Sequence, residues 1–170
     1  ARDCKVGRFV FASSGAPLGV QVPPLHEKLA PHPASPYGAS KLAGEGYCSA
    51  YYHCYGVETV VLRFGNVYGE GSIRKGSVVA KFAKQAILGE EIEIYGDGSQ
   101  TRDFVHISDL VEAISAAAYK PDIGGEVFQI ASAKETTVAE ITELLLKTLA
   151  SKGIHVAKVV NGSVRDGDVM

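Results

Sequence analysis

The chain has 170 residues, 46% of them hydrophobic, and no low-complexity tract, a composition that suits a globular body with a buried core. Its net charge of −2 supplies no basic field for nucleic acid, and no apolar run approaches the roughly 20 residues that span a bilayer. No signal-peptide pattern opens the sequence, so a soluble cytoplasmic protein without nucleic-acid or membrane partners is expected.

A short apolar strand is expected near residues 6–11; it delivers the pair Ser13-Ser14 and Gly15 into a loop. The stretch from Pro17 to Pro33 is too rich in proline and too irregular for a regular element. Ser35 is a good N-cap and Pro36 suits a first helical position, so a helix should run from about 36 to about 55 and stop at Gly56. Val57 to Arg63 is β-branched and nearly all apolar after Glu58, as expected of a buried parallel strand. Strand, helix and strand make one crossover of a doubly wound sheet.

Gly69 to Gly76 reads as a loop. Val78, Val79, Phe82, Ala83, Ala86 and Ile87 recur at helical spacing until Gly89, and Ile92 to Tyr95 alternates as a short strand turned by Gly96-Asp97-Gly98. Ser108 is the expected cap of a helix ending at Lys120-Pro121, and Val127 to Ala131 is a further strand. Thr137 and Glu140 fit a capping box for a helix whose apolar face is Val138, Ile141, Leu144, Leu145 and Leu149; a last strand follows near His155 to Val160.

Three cysteines without C-x-x-C spacing are expected to be free thiols, and the five histidines show no paired spacing for a metal, so none is expected. Tyr37 and Lys41, in the run Ser35-Pro36-Tyr37-Gly38-Ala39-Ser40-Lys41, carry the chemistry. Residues four apart are neighbours on a helix, and a nearby ammonium favours the phenolate form of a tyrosine, a proton acceptor usable near neutral pH. Ser13-Ser14 lies at the carboxyl end of a strand, where open α/β sheets place their chemistry.

These residues belong to a larger set: Phe9-Val10-Phe11-Ala12-Ser13-Ser14, Pro36-Tyr37-Gly38-Ala39-Ser40-Lys41, Leu62-Arg63-Phe64-Gly65-Asn66-Val67-Tyr68-Gly69, Tyr95-Gly96-Asp97-Gly98-Ser99-Gln100-Thr101-Arg102-Asp103-Phe104, and Arg165-Asp166-Gly167-Asp168. In this order they resemble the extended short-chain dehydrogenase/reductase family, and within it the NAD-dependent nucleotide-sugar epimerases and dehydratases, most of all the UDP-glucose 4-epimerases. The resemblance implies an α/β fold, the C-terminal part of a doubly wound parallel Rossmann sheet with a small α+β substrate-binding region. Residues 1–69 would form a partial NAD-binding region; residues 70–170 would mainly bind nucleotide-sugar, with the strand at 127–131 returning to the Rossmann sheet.

The same resemblance implies that Ser14, Tyr37 and Lys41 are catalytic and also touch the cofactor NAD, with Phe64 and Gly65 beside its nicotinamide. Asn66, Arg102, Arg165 and Asp168 would bind the nucleotide-sugar, a UDP-hexose, because arginine makes paired charge-assisted bonds to phosphate. Relatives that eliminate water or decarboxylate carry an acid just after the hydroxyl pair. Here Gly15-Ala16-Pro17-Leu18 stands there, which favours 4-epimerisation through a 4-keto intermediate. Leu18 departs from the tyrosine usual in relatives. Reductase, dehydrogenase or dehydratase chemistry, or a non-catalytic nucleotide-sugar-binding piece, are the alternatives. The family's glycine-rich turn, which binds pyrophosphate at a helix N-terminus, has no counterpart here. An internal piece of a longer protein, inactive alone and homodimeric as a whole, is expected.

Overall fold

The computed structural model describes residues 1–154 and 158–163. In chain order the elements are β1 (Phe9–Ser14), α1 (Pro36–Tyr55), β2 (Thr59–Phe64), β3 (Asn66–Tyr68), α2 (Val78–Ile87), β4 (Ile92–Tyr95), β5 (Thr101–His106), α3 (Ile107–Tyr119), β6 (Val127–Ile130), β7 (Glu135–Thr137), α4 (Val138–Ser151) and β8 (Val159–Gly162). Short 3₁₀ turns lie at Ala16–Leu18 and Ser72–Arg74. The chain divides into two compact units, one of residues 1–67 and 105–133, the other of 68–104 and 134–170.

In the first unit β1, β2 and β6 form a parallel sheet in that order. Side chains alternate across a strand, so the sheet has two distinct faces. Val60 and Leu62 of β2 turn one way with Val10 of β1, and Ala117 of α3 packs on them together with Phe64, Phe128 and Ile130. Phe11, Ser13, Thr59 and Arg63 turn the other way, and α1 covers that face: the hydroxyl of Thr59 donates to the Cys48 carbonyl at 3.0 Å, and Gly44 lies against the Phe11 ring. Helices on both faces of a parallel sheet make this unit doubly wound.

α1 keeps the bounds read from its caps. Ser35 accepts from the Gly38 N–H at 3.0 Å, Pro36 opens the helix, and Gly56 ends it in the left-handed conformation at φ 64°. The strand expected at 6–11 instead runs from Phe9 to Ser14, because pairing begins where Phe9 donates to the Glu58 carbonyl. Arg8, just before it, is drawn off to the last carbonyls of α3, at Ala117 and Lys120, and to the Glu58 carboxylate.

The second unit packs α2 and α4 with the parallel pair β4 and β8 around Phe82, Ala86, Ile92, Ile94 and Leu149. β5 and β7 pair antiparallel, Thr101 opposite Thr137 and Asp103 opposite Glu135. Neither strand shows an alternating apolar pattern: the paired residues 101–103 and 135–137 are polar, and their pairing joins segments more than thirty positions apart. The capping box of α4 is present in both directions, with Glu140 N–H donating to Thr137 Oγ1 at 3.0 Å and Thr137 N–H to Glu140 Oε2 at 2.8 Å. The cap of α3 is His106 and not Ser108: its ring nitrogen accepts the Ser108 N–H at 3.3 Å. The last strand begins at Val159, and residues 155–157 of its expected span lie outside the described residues.

Candidate active site

Parallel strands with helical crossovers present their carboxyl ends together, and six of the residues singled out lie there or next to them in the first unit. Ser14 closes β1 and is the register partner of Phe64, the last residue of β2. The Gly15 N–H donates to the Phe64 carbonyl at 3.3 Å, and the Gly65 N–H to Ile130 at the end of β6 at 3.0 Å. Asn66 follows in β3 with an exposed side chain.

Tyr37 stands in the first turn of α1, 55% exposed. Gly38 beside it sits against the turn after Ser14 so closely that a Cβ there would lie 2.6 Å from the Ala16 carbonyl oxygen. Lys41 Nζ donates to the Ala12 carbonyl at 2.8 Å and lies 5.7 Å from the centre of the Tyr37 ring. The ammonium is thus anchored on the strand that ends in Ser14 and remains next to the phenol. A lysine ammonium has three N–H donors, so one bond to Ala12 leaves others for a ligand.

The two serines differ. Ser13 is buried, and its hydroxyl donates to Glu45 Oε1 at 2.5 Å. Ser14 is only half-buried and accepts from the Ala16 N–H at 3.2 Å, which holds its hydroxyl at the mouth of the turn. Leu18 is fully buried, so this position offers no hydroxyl to the site.

Arg102 lies on β5 in the second unit, opposite Thr136, with Nη1 donating to the Thr101 carbonyl at 2.7 Å. Arg165 and Asp168 lie outside the described residues. Among the described residues no group of three His, Cys, Asp or Glu side chains could hold a metal, and no helix is long and apolar enough to cross a membrane.

Two features of the first unit were not anticipated. Arg63 and Glu45 form a buried two-pronged pair, Nε to Oε1 at 2.9 Å and Nη2 to Oε2 at 2.6 Å. A charge near the end of a largely apolar strand was the available signal, since buried ions require partners. The long loop after the 3₁₀ turn is tied down by Glu27, whose Oε1 accepts the Gln129 N–H at 2.7 Å. That backbone bond, chiefly, holds the Glu27 carboxyl below the usual carboxylate range; the Arg63 guanidinium adds to it.

Four similarities to known proteins bear on this arrangement. Residues 1–131 match the model of the NAD dependent epimerase/dehydratase family. The UDP-glucose epimerase YtcB of Bacillus subtilis, itself uncharacterized, is 36% identical over 144 residues, 85% of this chain and 45% of its own length. The crystal structure of Thermotoga maritima UDP-glucose 4-epimerase with UDP-glucose superimposes with a TM-score of 0.86 at 35% identity, covering 98% of this chain and 54% of that one. The Thermus thermophilus UDP-glucose 4-epimerase complex with NAD gives 0.84 at 31%, covering 99% and 55%. The chain spans about half the length of the curated relatives it matches. With a parallel sheet whose strand ends gather a serine, a tyrosine and a lysine, and with such relatives, the chain belongs to the NAD-dependent epimerase/dehydratase family.

Proposed function

We propose that the whole protein is an NAD-dependent UDP-hexose 4-epimerase and that this chain carries its proton-transfer group. The observation that carries the reading is Lys41 Nζ, bonded to the Ala12 carbonyl and held 5.7 Å from the Tyr37 ring at the end of β1. Tyr37 takes the proton of the sugar 4-hydroxyl and later returns it. Ser14, at the same strand end, donates to the oxygen as charge develops. NAD supplies the acceptor and donor of the hydride on carbon 4. Lys41 has N–H donors to spare for its ribose hydroxyls, and the strand ends at Phe64 and Gly65 would hold the nicotinamide side; Gly65 has no side chain to obstruct close approach.

Asn66, Arg102, Arg165 and Asp168 bind the nucleotide-sugar in this reading. Residues 1–69 serve mainly the cofactor and 70–170 mainly the substrate, with β6 in the cofactor-side sheet. Epimerisation is favoured over elimination because Gly15 to Leu18 include no carboxyl to protonate a leaving group. The setting is cytoplasmic. The assembly is a homodimer formed through α1, where Tyr47, Tyr51 and Tyr55 make an exposed aromatic stripe. A monomer in a sedimentation run on the whole protein would remove the dimer from the proposal.

The decisive experiment is Tyr37→Phe in the protein expressed from its natural reading frame, assayed for UDP-glucose and UDP-galactose interconversion. Turnover should fall at least about a hundredfold, the scale of a general acid–base contribution, while nucleotide-sugar binding persists. Unchanged turnover excludes Tyr37 as the proton acceptor.

A further inference from the structure

We propose that Ser13, Glu45 and Arg63 are positioning residues that set where α1 holds Tyr37 and Lys41 over the end of β1. The proposal rests on the reading of Tyr37 as the proton acceptor.

Ser13 and Arg63 are register partners on adjacent strands, so their side chains stand side by side on the face covered by α1. Glu45 comes down between them. Its Oε1 accepts from Ser13 Oγ and Arg63 Nε, and its Oε2 from Arg63 Nη2, so one carboxylate is held by three donors from two strands. All three residues are at most 7% exposed. Charge-assisted bonds of this kind are short and directional, and the planar guanidinium fork fixes orientation as well as distance.

The helix spacing connects this cluster to the site. Tyr37, Lys41 and Glu45 lie at i, i+4 and i+8 on one face of α1, so the anchor is about 12 Å along the axis from Tyr37 at 1.5 Å per residue. Lys41 grips Ala12 and Glu45 grips Ser13, consecutive residues of the strand that ends in Ser14. Further along the helix the Thr59 hydroxyl also bonds the Cys48 carbonyl, but in the turns next to the site the other contacts, Gly38 against Ala16 and Gly44 against the Phe11 ring, are steric: they limit how near the helix comes more than its rotation or its slide along the strands. The carboxylate cluster supplies that restraint. A buried ion pair seldom stabilises a fold more than well-packed apolar groups of similar volume do, so geometry is the property it adds here. Misplacing a reacting group by about 1 Å can lower a rate on the order of a hundredfold.

The test uses the protein expressed from its natural reading frame and three variants: Ser13→Ala, Glu45→Gln, and Glu45→Leu combined with Arg63→Met. The last replaces the pair by apolar groups and should fold, which circular dichroism and a thermal melt would verify. In folded variants kcat should fall about tenfold to a hundredfold with KM for UDP-glucose changed less than about threefold, least in Ser13→Ala. A second readout needs no turnover: reductive methylation of Lys41 in the same protein and variants, followed by peptide mass spectrometry against exposed Lys147 as reference. Its rate should rise at least about threefold as the bond to Ala12 loosens. Folded variants with kcat within twofold of the parent, or with unchanged Lys41 methylation, overturn the proposal. Should Tyr37→Phe keep full turnover while the methylation rate rises in the variants, the reading of Tyr37 fails and the positional coupling stands.

Discussion

At the scale of single residues, the site depends on atoms that are absent as much as on those present. Gly38 has ordinary helical backbone, so glycine is needed there for space: a Cβ would meet backbone at Ala16 and the ring of Pro33. Backbone cannot swing aside as a flexible side chain can. Gly38→Ala should therefore lift the first turn of α1, with Tyr37 on it, and cost about 1–3 kcal/mol as overpacking does. Gly46, two turns further along the same helix, has open space around its Cβ position, and Gly46→Ala should instead stabilise by roughly 0.5–1 kcal/mol because alanine loses less backbone entropy. Paired thermal melts check both signs, and turnover should fall only in Gly38→Ala. Equal melting shifts for the two would show that the close approach of Gly38 to Ala16 does not constrain the helix. The sequence displayed Tyr37 and Lys41 openly because their spacing is local. Of the two serines, Ser14, which the resemblance marks for the site, is the less buried. The role of Ser13 was hidden, since it is defined by a carboxylate 32 positions later and a strand partner 50 positions away.

Among the elements, helices with strong end signals kept their expected bounds, because capping is encoded within a few residues. α1 between Ser35 and Gly56 and α4 behind the Thr137 and Glu140 box are the clearest cases. Strands are defined by partners elsewhere in the chain, so β1 shifted toward Ser14 and β5 and β7 escaped notice. α3 shows a third situation, in which an imidazole took a capping place that composition would assign to a serine. The α4 box gives a pH-dependent prediction. The Thr137 N–H and hydroxyl both donate to the Glu140 carboxylate and hold its pKa below the usual value, with the backbone bond the larger cause. A carboxyl depressed in the folded state contributes stability that is fully present above its unfolded pKa and is lost as pH falls through the folded one. Amide protection factors in the first turn of α4, residues 138–141, should therefore decline with acidification through that window. In Glu140→Gln, which has no charge to lose, protection should be lower at neutral pH and flat across the same range. A parent profile that stays flat would show that the box does not act through its charge.

For the whole molecule, the question is what the first unit can do by itself. Its sheet has the order β1, β2, β6, so β1 pairs on one side with β2, and no described strand lies along its other edge. Val6, Phe9, Val111, Ile114 and Tyr119 are exposed on the same unit. An open strand edge beside exposed apolar side chains is a template for other chains. The cofactor groups this unit offers are Ser14, Tyr37, Lys41, Phe64 and Gly65, all on the nicotinamide side in the proposed reading. The sequence has no glycine-rich turn to place backbone N–H groups around a pyrophosphate, the part of a dinucleotide with the most charge to satisfy. The 170 residues expressed alone should therefore self-associate, bind NAD no more tightly than millimolar, and epimerise nothing. Sedimentation velocity across a concentration series reads the first property and quenching of tyrosine fluorescence on NAD addition the second. A monodisperse monomer with micromolar affinity would mean that the β1 edge is covered from within the chain and that pyrophosphate is gripped by groups outside the site proposed here.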